Sequence, residues 1–360
     1  MTDFRLEPTT HVGAAARRFE DLATSTNHAL GYVESGPGTL KQADGRIWML
    51  ALGGHQDFVE HTERNIQRGK QLLEAARDAL DAVQDRYDST EEDHLVGVAD
   101  LFANIGGASS SEPLADHGSA ADYGTSLPAH EIPPAENFDG IPDWAIMVME
   151  FGGSFVSPTY WAMKILEWTI GTNPLDWAIA QFMGDWDEVA KAGNAFTHTG
   201  AYWAQMGTVT TDDCAVLMRG WEGDAARSAE SWFRRLAEAH TEQEPGLTEI
   251  GRQYSTLAQG MHLSAKGIGS LLVVIGDLVA GAAILAAAIA VATASGVGAP
   301  AAAAMTSSLM IMLDAVLGVW QTVLTVQGAT VGAALLFAGV IAGACSRIGS
   351  IEQLEMPNGE

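Results

Sequence analysis

From Gly267 to Ser346 the chain carries only two charged residues, Asp277 and Asp314. Few folds accommodate so long an uncharged run. Leu278 to Thr293, extended back to Leu271 across Asp277, approaches the ~20 apolar residues that carry a helix through a bilayer core. SGVGAPAAAA interrupts it, and the run from Ala315 to Cys345 is longer still. That second run contains GATVG and GVIAG, each with two glycines four apart, a spacing that lets helix backbones approach closely. Two readings fit: a pair of helices entering and leaving a membrane, or an Ala-rich helical hairpin buried in a soluble bundle.

The rest of the chain has a different composition. Lys and Arg total 19 against 45 Asp and Glu, and the net charge of -26 repels nucleic acid and anionic headgroups. Nucleic-acid binding is therefore not expected. With 360 residues, 47% of them hydrophobic, the chain can bury a substantial core. Cys214 and Cys345 stand far apart with no zinc-type spacing. The opening MTDFRLEPTTH lacks a basic n-region followed by an apolar h-region, so the expectation is either an internal protein or export by a route other than the general secretory one.

Helical periodicity organises the first and third quarters. Val12, Ala15, Phe19, Leu22, Thr26, Ala29 and Val33 alternate at spacings of 3 and 4, and so do Ile66, Gly69, Leu73, Ala76, Leu80, Val83 and Tyr87. SGPG at residues 35–38 stops the first seam. These two seams predict an antiparallel helical hairpin. Residues 104–142 are rich in Ser, Gly and Pro and contain acids but no Lys or Arg, the composition of a disordered linker. Beyond it, Ile179, Phe182, Trp186, Val189, Gly193, Phe196, Gly200 and Trp203 predict one long helix. Ala226, Ala229, Phe233 and Leu236 open another, Pro245 marks a kink or break, and Leu247, Ile250, Tyr254, Leu257 and Met261 resume the seam. Each hairpin alone would leave an apolar stripe in water, so the two are expected to pack as a four-helix bundle.

At the join of the second pair stands RGWEG, with Trp221, Glu222 and Gly223 forming a W-x-G at a bend. Glycine permits the backbone angles that such a bend needs. The placement resembles the WXG family of proteins exported by type VII (ESX) secretion systems of actinobacteria. In that family the W-x-G of one hairpin lies beside a Tyr-x-x-x-Asp/Glu on the C-terminal helix of its partner, and the two together are the export signal. The first hairpin ends with that complement: Tyr87 and Glu91 are four apart, on one face of a helix. It has no W-x-G of its own, since Met49 and Leu50 follow Trp48, and the second hairpin has Ala258 four residues after Tyr254. The first segment also looks like the small Esp-type substrates of these systems. NPLDWAIAQFMGDWDEVAKAGNAF resembles the helix ahead of W-x-G in large type VII toxins. The resemblance covers residues 1–100 and 170–265, and it implies a heterodimer fused into one chain.

Chemistry-bearing residues are sparse. His55, Asp57, Glu60 and His61 in GHQDFVEHTE suggest a metal cluster only weakly: there is no H-E-x-x-H, and His55 precedes the expected helix, so a solvated polar face is the expectation. GIGS at residues 267–270 has neither the strand before it nor the Lys-Ser/Thr after it of a phosphate loop. Asp277 and Asp314 lie near the ends of their apolar runs, where interfacial exposure or helix capping accounts for them. No catalytic, cofactor-binding or metal residues are assigned, and no enzyme is expected.

The expected fold is all-α: two helical hairpins in an elongated four-helix bundle, an intramolecular WXG-like pair, plus a C-terminal hydrophobic helical hairpin. The expected divisions are residues 1–103 (Esp/WXG-like hairpin), 104–142 (linker), 143–266 (second hairpin), 267–346 (hydrophobic helices) and 347–360 (polar tail). The resemblance implies a type VII substrate or substrate partner, secreted or at the cell surface, whose signal is Tyr87, Glu91, Trp221 and Gly223. Its partner would be the secretion ATPase and translocon, and residues 267–346 would meet a membrane or further copies of the chain. The alternative is an integral membrane protein retained in the producing cell, with the hairpins as a cytosolic interaction module.

Overall fold

A computed structural model describes residues 10–40, 45–88, 173–182, 184–294, 299–345 and 351–357, with residues 167, 171 and 348 singly. The protein is all-α, and no strand occurs among the described residues. The α-helices among the described residues are α1 (Thr10–Ser35), α2 (Arg46–Ala51), α3 (His55–Asp88), α4 (Pro174–Phe182), α5 (Trp186–Gly220), α6 (Asp224–Thr241), α7 (Gln243–Ala294) and α8 (Ala299–Ala344).

The seven seam positions predicted on α1, from Val12 to Val33, are all buried, as are Ile66, Leu73, Ala76, Leu80 and Val83 on α3. The two helices run antiparallel. A side chain at Gly13, near the start of α1, would strike Gln84 near the end of α3. Polar contacts fix the register of α1 on α5. Arg18 Nε donates to Asp213 at 2.8 Å, Tyr202 Oη to Thr26 at 3.0 Å, and Tyr32 Oη meets His198 Nδ1 at 3.1 Å. Advancing along α1 retreats along α5, so this pair is antiparallel too. The Arg18–Asp213 pair is buried, and burial pushes the Asp213 carboxyl up to about 6 against the downward pull of the guanidinium. A pair with so large a desolvation cost sets register more than it adds stability.

The tightest packing joins α5 to α6 and α7. Gly193, Gly200 and Gly207 recur every seven residues on one face of α5. A Cβ at Gly193 would lie 2.7 Å from the Gly251 carbonyl and 2.7 Å from Tyr254 Cβ; at Gly200, 3.1 Å from the Glu244 carbonyl; at Gly207, 2.8 Å from the Ala237 carbonyl. The obstructing atoms are mostly backbone, which cannot rotate away. Gly251 faces back onto Gly193 and Thr197 in the same way. Glycine is the side chain that this approach admits.

Local signals explain the breaks. The seam expected to run as one helix from Ile179 to Trp203 is divided: α4 ends at Phe182 and α5 begins at Trp186. Asp185 caps α5, its side chain accepting from the Glu188 N–H at 3.1 Å. Between α6 and α7 only Glu242 interrupts the helix, and Pro245 falls in the first turn of α7, where the missing N–H costs little. From there α7 continues without a break through residues 266–267.

The chain end closes the body. Asn65 Nδ2 donates to the Ile348 carbonyl, Arg68 Nη2 to the Leu354 carbonyl at 2.7 Å, and Trp232 Nε1 to the Glu355 carbonyl at 3.0 Å. Ile351 and Leu354 are buried beneath this strap, which ties α3 to α6. Trp203 stacks near His240, ring centroids 5.1 Å apart, and full burial drives the His240 imidazole down to about 3.

Two stability measurements test this packing. Gly193→Leu should cost about 3 kcal/mol or more, while Gly260→Ala, with open space at its Cβ, should gain roughly 0.5–1 kcal/mol; equal effects in chemical denaturation would contradict the seam. An exposed imidazole titrates near ~6.5, so below that pH the unfolded chain takes up a proton that folded His240 refuses until about 3. The stabilisation from a neutral His240 is whole above pH ~6.5 and declines at about 1.4 kcal/mol per pH unit below it. Between pH 7 and 5 the wild type should therefore lose about 2 kcal/mol more than His240→Phe. Parallel pH profiles would refute this.

Candidate functional site

The bend between α5 and α6 is built from RGWEG. Helix α5 ends at Gly220, Trp221 is extended (φ -134°, ψ 116°), and Gly223 takes φ +114° with ψ -172°. That last conformation is open to glycine and strained for any other residue. The Gly223 carbonyl then accepts from the Arg227 N–H at 3.1 Å, starting α6. The bend tucks Trp221 inward: its side chain is 1% exposed and belongs to the core. Glu222 and Asp224 are the exposed side chains that flank Gly223. Any macromolecule that reads this bend therefore meets backbone and carboxylates with the indole beneath them.

Tyr87 lies in the last turn of α3, with its side chain outside the described residues, and Glu91 lies outside them entirely. The ends of the helices are nonetheless located. Gln84 sits across from Gly13 on α1, and Arg18, little more than one turn later, sits across from Asp213, two turns before Gly220. The C-terminal end of α3 and the α5–α6 bend therefore occupy the same end of the bundle.

At the opposite end α7 and α8 leave the body as an antiparallel pair. Thr330 bonds Ser264 at 3.1 Å, and a Cβ at Gly281 would lie 3.3 Å from Met312 Cε. The body reaches the pair through Trp177 against Trp320, centroids 5.1 Å apart, and through Gln327 donating to Gln181 at 3.0 Å. Between Ala282 and Val316 no described residue is buried. Both helices are long and apolar enough to cross a membrane, and only 28% and 17% of their most apolar windows are buried. Near the body one face of each helix belongs to the core, through Ile268, Ile275, Val323 and Ile341, while the described residues between Ala282 and Val316 stand outside it. The register of Gly281 on Met312 sets Asp277 and Asp314 at nearly one level, and both are exposed.

The histidine-containing segment behaves differently from its sequence reading. His55 is the first residue of α3 rather than a residue before it, and it is buried, not part of a solvated face. Its Nε2–H donates to the Pro37 carbonyl at 3.0 Å, leaving Nδ1 to accept from Tyr254 Oη at 2.6 Å. Burial lowers its pKa, keeping the ring neutral in this role. Asp57 and Glu60 face solvent. Among the described residues no group of three or more His, Cys, Asp or Glu could hold a metal ion. Both cysteines are free thiols, and burial raises the pKa of each.

Trp48 makes the contact that the sequence did not reveal. It packs against Trp186 at 4.9 Å, and a Cβ at Gly184 would collide with its ring, so the first hairpin's turn is seated on the α4–α5 junction. No protein-family model, curated protein or solved structure matches this chain.

Proposed function

We propose that the protein is a non-enzymatic type VII secretion substrate or substrate partner, exported as a folded helical bundle. Its composite signal is Tyr87 and Glu91 with Trp221 and Gly223, read by the secretion ATPase and translocon. After export, residues 267–346 act at a membrane or assemble with further copies. The observation that supports this reading best is positional: the end of α3 and the W-x-G bend share one end of the bundle, and the apolar pair leaves from the other. An ATPase engaged at the first end leaves the second free. The exposed apolar helices favour one competing reading, a membrane protein retained in the cell that makes it.

Culture filtrate and membranes, compared with and without an active type VII ATPase, separate the two. Tyr87→Ala and Glu91→Gln should each lower the exported amount at least tenfold while far-UV circular dichroism and the denaturation midpoint stay at wild-type values. Trp221→Ala is a poorer probe, because removing a buried indole costs about 3–5 kcal/mol. Export that persists without the ATPase would refute the proposal. So would a carbonate-resistant pellet with nothing in the medium.

A further inference from the structure

We propose that the outer parts of α7 and α8, residues 278–294 and 299–313, insert into a zwitterionic lipid bilayer as a re-entrant pair and stop at the level of Asp277 and Asp314. This rests on the membrane branch of the function proposed above and selects it over self-assembly.

The tip carries no charged residue, and each leg is bounded by one carboxylate. Because those carboxylates are exposed and nearly level, they form a charged collar around the base of an uncharged hairpin. At 1.5 Å per residue each leg reaches about 25 Å, slightly less than the ~30 Å hydrocarbon core, so the tip enters deeply without emerging. Both chain directions then return to the bundle's side.

Lipid, rather than a second copy, fits the pattern of exposure. On α7, residues 284, 286, 287, 288, 290 and 291 are all exposed, which takes in more than half of the helix circumference and leaves only the face of Leu285, Ile289 and Ala292 half-buried. Ile284 and Val291 are 73% and 70% exposed, and on α8 Met310 and Ile311 are 56% and 68% exposed. A partner helix covers one face, whereas acyl chains surround the pair. The hydroxyls are compatible with lipid as well: Thr293 donates to the Ile289 carbonyl at 2.7 Å and Thr306 to the Ala302 carbonyl at 2.8 Å, leaving neither donor unpaired. Charge selects the headgroup. The nearest Lys or Arg along α7 is Lys266, about 16 Å further from the tip, and the chain's net charge of -26 disfavours an anionic surface.

Flotation of the purified full-length protein with phosphatidylcholine vesicles tests this. Export plays no part in that assay, so the signal variants can fail to support the functional proposal while flotation succeeds, and the reverse. The wild type should float. Ile284→Lys with Val291→Lys, at exposed positions that do not support the fold, should reduce floated protein at least tenfold. An environment-sensitive dye on Ala287→Cys, in a Cys345→Ala background where the Cys214 thiol is buried, should shift to the blue and be quenched by lipids brominated deep in the acyl chain. The same dye on Gly260→Cys should not shift. Adding phosphatidylglycerol should lower flotation. Absence of flotation, a tip dye that stays in water, or a blue shift without vesicles that grows with protein concentration would each overturn the proposal, the last in favour of a second copy.

Discussion

Everything in this molecule is positioned by the approach of two backbones. Where Gly193, Gly200 and Gly207 face α6 and α7, a single added carbon would sit within 2.7–3.1 Å of a main-chain oxygen, well inside van der Waals contact. The seam gains dispersion over a long line of close atoms, and it leaves little freedom for sliding, because the next glycine lies two turns away. From it follow the direction of α7 and hence the point where the apolar pair leaves the body. The antiparallel placement of α1 is then fixed by Arg18, Thr26 and Tyr32 along the other side of α5. Finally the terminal strap, through Asn65, Arg68 and Trp232, closes α3 onto α6.

The result is a molecule with two unlike ends. One gathers the last turn of α3 and a bend whose backbone only glycine adopts easily. The other ends in helices with no described residue buried between Ala282 and Val316. A two-helix pair cannot hide its own apolar surface in water, whatever its internal packing. On the proposed reading the ends have successive uses: the first is engaged during export, and the second is free to meet a bilayer once the chain is released.

The parts that were legible in the sequence are those where one helix face does one job. The α1 and α3 seams could be read because burial on a long helix imposes a 3 and 4 alternation, and the bend could be read because Trp221 and Gly223 interrupt it. The break between Phe182 and Trp186 is not visible in the seam because apolar residues keep their phase across it; Asp185 with Glu188 three residues on is the capping signal present in the sequence. The burial of His55 was not readable at all, since its partner Tyr254 is 199 positions away and shares no local pattern with it. The strap was equally hidden, because its bonds use main-chain carbonyls that every residue carries. The side chains of Tyr87 and Glu91 fall outside the described residues.

A distance between labels on Asp85, near the end of α3, and Asp224, at the start of α6, tests the central arrangement most directly. Both side chains are exposed, so labelling leaves the core intact. Helix α5 has 35 residues, a length of about 52 Å. If the two motif-bearing ends share one end of the bundle, pulsed dipolar spectroscopy will give a single population centred below about 30 Å; a population near 50 Å, the full length of α5, would contradict the account.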